Sequence, residues 1–79
     1  AKDEMSRLLV DEAPASIGGE AVDGIATIDG VKYLIADGSW LLIRPSGTEP
    51  VLRVYAEGRT PGMVRALLDF GEQVAQRAA

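Results

Sequence analysis

The run Pro-Ser-Gly-Thr-Glu-Pro at residues 45–50 contains the residue types that bind phosphate. Ser46 and Thr48 supply hydroxyl donors on either side of Gly47, and a glycine lets backbone N–H groups approach a ligand closely. This combination predicts a phosphate-binding loop. An ordinary proline-bounded hairpin loop is an equal alternative, because Pro, Ser, Gly and Thr are also common turn residues.

Two arginines flank this run, Arg44 before it and Arg53 after it. Arginine suits phosphate because its planar guanidinium can donate two parallel hydrogen bonds to two oxygens. Residues 1–43 carry three basic and eight acidic side chains, a balance of −5, whereas residues 44–59 carry three arginines and two glutamates, a balance of +1. The only net positive stretch therefore contains the predicted loop, although solvated surface arginines are an alternative explanation of the cluster.

Other phosphate motifs and most catalytic groups are absent. Neither lysine follows a glycine and no two glycines are separated by a single residue, so the P-loop and the dinucleotide-binding fingerprint are excluded. The chain has no cysteine and no histidine, which excludes zinc fingers, disulfides, thiol nucleophiles and imidazole bases. Arg44 also stands where a nucleophile elbow needs its first glycine. Ser46 is therefore interpreted as a hydrogen-bond donor and not as a nucleophile.

Two strong strands are predicted on either side of the loop, over residues 40–44 and 51–57. Side chains alternate between the two faces of a strand. One face then carries the apolar residues Leu41, Ile43, Leu52, Val54 and Ala56. The opposite face carries Arg44, Arg53 and Glu57.

Two weaker strands are predicted upstream, over residues 25–28 and 31–36. They are bracketed by Asp-Gly pairs that begin at Asp23, Asp29 and Asp37, and such pairs supply the positive φ of tight hairpin turns. This region is therefore predicted to form an antiparallel meander. A calcium loop is disfavoured, because these acids are six and eight residues apart and do not alternate within a dozen residues.

A helix is predicted at each end of the chain. Met5, Leu8 and Leu9 have the spacing of an amphipathic helix over residues 2–12. A second helix begins at Thr60-Pro61, where threonine caps and proline suits the first turn. The predicted core combines both strong strands and this helix: Leu41, Ile43, Leu52, Val54, Leu67, Phe70 and Val74. The order of elements predicts one α+β domain over residues 1–79, a four-stranded antiparallel sheet with both helices on one face.

Residues 40–57 strongly resemble the phosphate-binding signature in the C-terminal domain of the α-D-phosphohexomutases, which include phosphoglucomutase, phosphomannomutase and phosphoglucosamine mutase. The resemblance depends on the core Arg-Pro-Ser-Gly-Thr-Glu-Pro and on a second Arg nine positions after the first, and it extends over essentially the whole chain. It implies a TATA-binding-protein type of fold. By similarity, the phosphate of a phosphosugar is held by Arg44, Ser46, Gly47, Thr48 and Arg53. No ligand role is assigned to Glu49, for which capping of the loop and pairing with Arg53 are open alternatives.

The resemblance also implies a four-domain parent enzyme that interconverts hexose 1-phosphate and hexose 6-phosphate and uses Mg²⁺. The family's phosphoserine loop, magnesium loop and sugar-recognition loop have no counterpart in this sequence. The chain, which begins at Ala1 and not at methionine, is thus expected to be an excised domain that is inactive alone, without a cofactor of its own. Its expected partners are a phosphosugar and the remaining domains of the parent.

Other functions are weighed against this one. A freestanding α+β module that binds a small anion or another protein is the main alternative. RNA binding is disfavoured by the net charge of −4 and by the lack of paired strand aromatics. No membrane association is expected, because no stretch approaches the roughly 20 apolar residues of a spanning helix. The absence of cysteine and of a signal peptide favours a cytoplasmic location.

Overall fold

The computed structural model describes residues 2–28, 30–45 and 52–78. The elements in chain order are helix α1 (Lys2–Asp11), strands β1 (Ser16–Ile17), β2 (Glu20–Ala26), β3 (Val31–Ile35), β4 (Trp40–Pro45) and β5 (Leu52–Glu57), and helix α2 (Pro61–Ala78). The strands form one antiparallel sheet in the order β1-β2-β3-β4-β5, so each strand pairs with its neighbours in sequence. The α+β architecture with two terminal helices is as predicted.

The sheet has five strands, so the prediction of four was wrong. The additional strand, β1, is two residues long and pairs with the start of β2. Gly18 and Gly19 make the tight turn between them, with φ values of 62° and 84°. A strand of two residues is too short to show the alternation by which strands are recognised in a sequence.

The pair Asp23-Gly24 was wrongly expected to form a turn, because it lies inside β2. The pairing of β2 with β3 shifts between Val22 and Gly24, which marks a β-bulge, a second common use of glycine in sheets. Strand β2 therefore starts at Glu20, upstream of the predicted residue 25. In the other two pairs the glycines have positive φ values, 105° at Gly30 and 93° at Gly38. Gly38 lies in the turn between β3 and β4, whereas Asp29 lies outside the described residues.

The core lies between the sheet and both helices, on one face of the sheet. All seven residues of the predicted core belong to it: Leu41, Ile43, Leu67 and Val74 are buried, and Leu52, Val54 and Phe70 are partly buried against them. Helix α1 contributes Leu9, whereas Leu8 is exposed. The prediction that both helices cover one face is confirmed, and the other face of β3, β4 and β5 carries the alternate residues of each strand.

Helix α2 begins as its sequence predicts. The backbone N–H of Met63 donates a hydrogen bond of 3.0 Å to the Oγ1 atom of Thr60, which satisfies one of the unpaired donors of the first turn. Within the described residues, neither helix is long and apolar enough to cross a membrane.

Candidate phosphate-binding site

Arg44 and Arg53 lie directly opposite each other on β4 and β5. The two strands pair antiparallel along their whole lengths, and directly opposed residues of such a pair point to the same side of the sheet. The adjacent pair, Ile43 and Val54, faces the core. Both arginines therefore extend from the face that the helices do not cover, at the end of the hairpin where residues 46–51 connect the strands.

The opposed arginines are unfavourable for the sheet by itself. Like charges directly across an antiparallel pair repel, at a Cα separation of roughly 5 Å. An anion bound between the guanidiniums would turn this repulsion into two attractions. The pair is therefore a place on the sheet where a negative group is stabilised.

The two arginines differ in their surroundings. Arg44 is half-buried, with its Nε atom buried, whereas Arg53 is exposed. Burial of the Nε atom restricts the directions that the Arg44 guanidinium can take. The guanidinium of Arg44 is thus more constrained by its surroundings than that of Arg53.

The three other predicted ligands, Ser46, Gly47 and Thr48, lie outside the described residues, as does Glu49. The structure brings together Arg44 and Arg53, which were predicted from the sequence to share a face. The contribution of the loop hydroxyls and amides stays a prediction.

Lys32 adds a third positive charge to the same face of the sheet, and sequence reasoning missed it. Its register opposite Leu42 places it on the uncovered face, where its Nζ atom lies 4.5 Å from the ring centroid of Trp40 in a cation–π contact. Glu57 is the one acidic residue that β3, β4 and β5 add to this face, so these three strands give it a charge balance of +2, on a chain of net charge −4. The signal that was available is the position of Lys32 between the core residues Val31 and Tyr33.

Arg59, the third arginine of the positive stretch, forms its hydrogen bonds within the fold, away from the Arg44–Arg53 pair. Its backbone N–H donates to the Oγ atom of Ser39 at 2.9 Å, and its Nε atom donates to the backbone carbonyl of Asp37 at 3.2 Å. The backbone N–H of Ser39 donates to the Asp37 carboxylate at 2.8 Å, and this bond, with the charge of Arg59, lowers the pKa of Asp37. Arg59 therefore joins the β3–β4 turn to the end of β5, at the opposite end of the hairpin from the loop.

Residues 2–28, 30–45 and 52–78 contain no group of three or more His, Cys, Asp or Glu residues that could hold a metal ion.

Comparison with known proteins relates most of the chain to sugar-phosphate mutases. A family model described as phosphoglucomutase/phosphomannomutase, C-terminal domain, matches residues 4–70. A probable phosphoglucosamine mutase from Methanothermobacter thermautotrophicus is 40% identical over 65 residues, which are 80% of this chain and 14% of that protein. A phosphopentomutase from Thermococcus kodakarensis is 44% identical over 59 residues, 75% of this chain and 13% of the relative.

A phosphoglucomutase/phosphomannomutase from the same organism is 39% identical over 54 residues, 68% of this chain and 12% of its own length. The chain thus spans only about one seventh of the curated relatives that it matches. The family model, in contrast, covers most of the chain and includes the β4–β5 hairpin with both arginines. The chain therefore belongs to the family of phosphoglucomutase/phosphomannomutase C-terminal domains.

Proposed function

We propose that this domain binds the phosphate group of a phosphosugar, as part of a larger mutase that interconverts hexose 1-phosphate and hexose 6-phosphate. The observation that carries the proposal is the Arg44–Arg53 pair at the end of the β4–β5 hairpin. Family membership supports it, and so do the names of the relatives, which are all mutases of phosphorylated sugars.

Each group of the proposed site has a distinct role. Arg44, fixed by β4 and half-buried, donates two parallel hydrogen bonds to two phosphate oxygens, and Arg53 supplies the opposing charge. The hydroxyls of Ser46 and Thr48 and the backbone N–H groups near Gly47 bind the remaining oxygens. Each charge-assisted hydrogen bond contributes about 1.5 to 3 kcal/mol before ordering costs.

The domain contributes binding, and the rest of the parent contributes the chemistry. A mutase must hold its substrate by either of two phosphates, so this site recognises the phosphate and leaves the choice of sugar to other domains. The phosphoserine and the Mg²⁺ of the reaction belong to the rest of a cytoplasmic parent. The 79-residue chain is then inactive by itself. We also propose that its sheet and helices have the TATA-binding-protein type of fold.

The proposal is tested by replacing arginines in the 79-residue chain and measuring phosphate binding by NMR titration. Arg44→Ala should raise the dissociation constant for inorganic phosphate at least about tenfold, because it removes charge-assisted hydrogen bonds of about 1.5 to 3 kcal/mol. Arg44→Lys keeps the charge and loses the planar fork, so it should weaken binding by part of that amount.

Arg59→Ala is the matched control, since Arg59 lies in the same positive stretch but is bonded to the β3–β4 turn. It should leave phosphate binding unchanged and lower the free energy of unfolding by less than about 1 kcal/mol. If Arg44→Ala and Arg59→Ala bound phosphate as tightly as the unsubstituted chain, the site would be refuted. The freestanding interaction module would then be the better reading.

In the parent enzyme the same comparison should appear in the kinetics. Arg44→Ala should lower kcat and raise KM, because the same phosphate is held in the ground state and in the transition state. Arg44→Lys should show a smaller loss of both, and Arg59→Ala should keep near-normal kcat/KM.

A further inference from the structure

Gly30, which directly precedes β3, packs against the backbone of β4 at Arg44. It has a φ of 105°. A Cβ atom added at Gly30 would lie 2.8 Å from the carbonyl oxygen of Ile43, 3.2 Å from the Cα of Arg44 and 3.3 Å from the Cβ of Arg44. There is therefore room at this point for a hydrogen atom and not for a methyl group.

The two nearest atoms that a Cβ at Gly30 would meet belong to the backbone of β4, so the backbone itself would have to move. A clash with the end of a flexible side chain can be relieved by a change of rotamer, whereas a clash with a carbonyl oxygen and a Cα requires a backbone shift. The neighbouring residues are tied to one another, because Val31 pairs with Ile43. A side chain at residue 30 would thus displace the end of β4 where Arg44 begins.

Arg44 is held from two sides. Strand β5 fixes it on one side, where Arg53 is its partner, and Gly30 lies against its backbone on the other. The closest approach is at Arg44 itself and at the carbonyl that precedes it. Small displacements of a group that must donate two parallel hydrogen bonds weaken binding strongly.

We propose that Gly30 is a positioning residue for the phosphate site: the β2–β3 turn sets the backbone of Arg44, and through it the direction of the guanidinium. This inference rests on the proposed function, because it assigns to the turn a part in holding the same phosphate. Gly30 makes no contact with the ligand in this proposal and acts only through Arg44.

The test compares Gly30→Ala with Gly19→Ala in the 79-residue chain. Gly19 is the matched control, because its φ of 84° imposes the same kind of backbone strain on alanine, while a Cβ there would meet nothing within 4 Å. Both variants should lose thermal stability. Gly30→Ala should in addition raise the dissociation constant for inorganic phosphate about tenfold, as expected when a binding group is misplaced by a fraction of an ångström. Gly19→Ala should change it less than about twofold.

If Gly30 had only a structural role, both variants would lose stability, but both would bind phosphate with the same dissociation constant as the unsubstituted chain. That result would overturn the positioning role of Gly30 and leave the proposed function standing. Absence of phosphate binding in the unsubstituted chain would instead overturn the proposed function, and the role of Gly30 with it. The two failures are therefore distinguishable.

A second measurement needs no substitution and so does not depend on the folding of Gly30→Ala. In the unsubstituted chain, inorganic phosphate should shift the Hα resonances of Gly30 with the same saturation curve as the amide of Arg44, and those of Gly19 should stay in place. Shifts at Arg44 without any at Gly30 would overturn the coupling between the turn and the site.

Discussion

Tyr33 connects three elements of the fold through one side chain. It is fully buried on β3, and its hydroxyl donates a hydrogen bond of 2.7 Å to the backbone carbonyl of Leu9 in the last turn of α1. The carbonyls of a last helical turn lack partners within the helix. The ring of Tyr33 meets the ring of Phe70 on α2 edge to face, with centroids 5.7 Å apart. A phenol is therefore required here for its hydroxyl as well as for its volume.

Tyr33→Phe should lower the free energy of unfolding by about 1 to 3 kcal/mol at pH 7, because it leaves the buried carbonyl of Leu9 without this donor. Burial raises the pKa of Tyr33 to about 12, above the value near 10 of an unfolded chain. A raised pKa gives stability that is complete below about pH 10 and is lost as the pH rises toward 12. Urea unfolding from pH 8 to 12 should thus show the difference between the unsubstituted chain and Tyr33→Phe becoming smaller.

Tyr55→Phe is the control for this experiment, because Tyr55 is exposed on the uncovered face of β5. Tyr55→Phe should change the free energy of unfolding at pH 7 only slightly, because no buried hydrogen bond is lost. A Tyr33→Phe difference that stayed constant up to pH 12 would argue against a buried phenol.

At the scale of elements, the contact between α2 and β5 depends on a glycine in the middle of a helix. Glycine costs a helix about 1 kcal/mol relative to alanine, so a second influence must favour it here. A Cβ atom at Gly71 would lie 2.7 Å from the Cγ1 atom of Val54. Gly71 therefore lets α2 lie close to the strand that carries Arg53.

Gly71→Ala should lower the free energy of unfolding by about 1 to 2 kcal/mol, since overpacking costs about 1 to 3 kcal/mol and the gain in helix propensity offsets part of it. Gly62→Ala in the same helix should be neutral or stabilise the chain by up to about 1 kcal/mol, because the nearest atom to its Cβ would be 3.9 Å away. Denaturant unfolding of both variants makes the comparison. Equal stability of the two would mean that Gly71 has no packing role.

The elements that the sequence predicted are those with a long periodic pattern. Strands β4 and β5 and helix α2 each bury one regular set of residues, so alternation and helical spacing located them and their core residues. Strand β1 is too short for any pattern, and Asp23-Gly24 has the composition of a turn although its pairing makes it a bulge. In both cases the structure depends on pairing with another strand. The local sequence does not indicate which strand that is or in which register it pairs.

The candidate site likewise has one feature that was predicted from the sequence and others that were not. That Arg44 and Arg53 share a face follows from alternation along each strand, and the sequence predicted it. That Lys32 adds its charge to this face depends on the register of β3 with β4. The packing of Gly30 on Arg44 depends on how the residue before β3 meets the end of β4, and no sequence motif indicates that contact.

At the scale of the whole molecule, the arginine pair of the predicted phosphate site lies away from both helices. The described residues form an elongated body of 33 × 20 × 18 Å, with both helices packed on the core face of the sheet. The arginine pair lies on the other face, where no described helix covers it. Water therefore competes for the hydrogen bonds that these two arginines would donate to a bound phosphate.

The 79-residue chain should accordingly bind phosphate weakly, with a dissociation constant in the millimolar range, which corresponds to about −4 kcal/mol. Inorganic phosphate and glucose 1-phosphate should bind alike, because the site is proposed to contact only the phosphate. An NMR titration should shift the amides of Ser46, Gly47 and Thr48 together with Arg44, and glucose should shift none of them. Micromolar binding, or shifts confined to another surface, would contradict this expectation.

The sequential order of the five strands determines how the chain can fold. Each pairing joins neighbours in sequence, so each hairpin closes a short loop at small entropic cost and can form within microseconds. Helix α2 is different, because it packs against β1 as well as β5 and so closes a loop over most of the chain. We therefore expect the sheet to assemble hairpin by hairpin and the docking of α2 to complete the transition, at a rate between those of helical bundles and of all-β sandwiches.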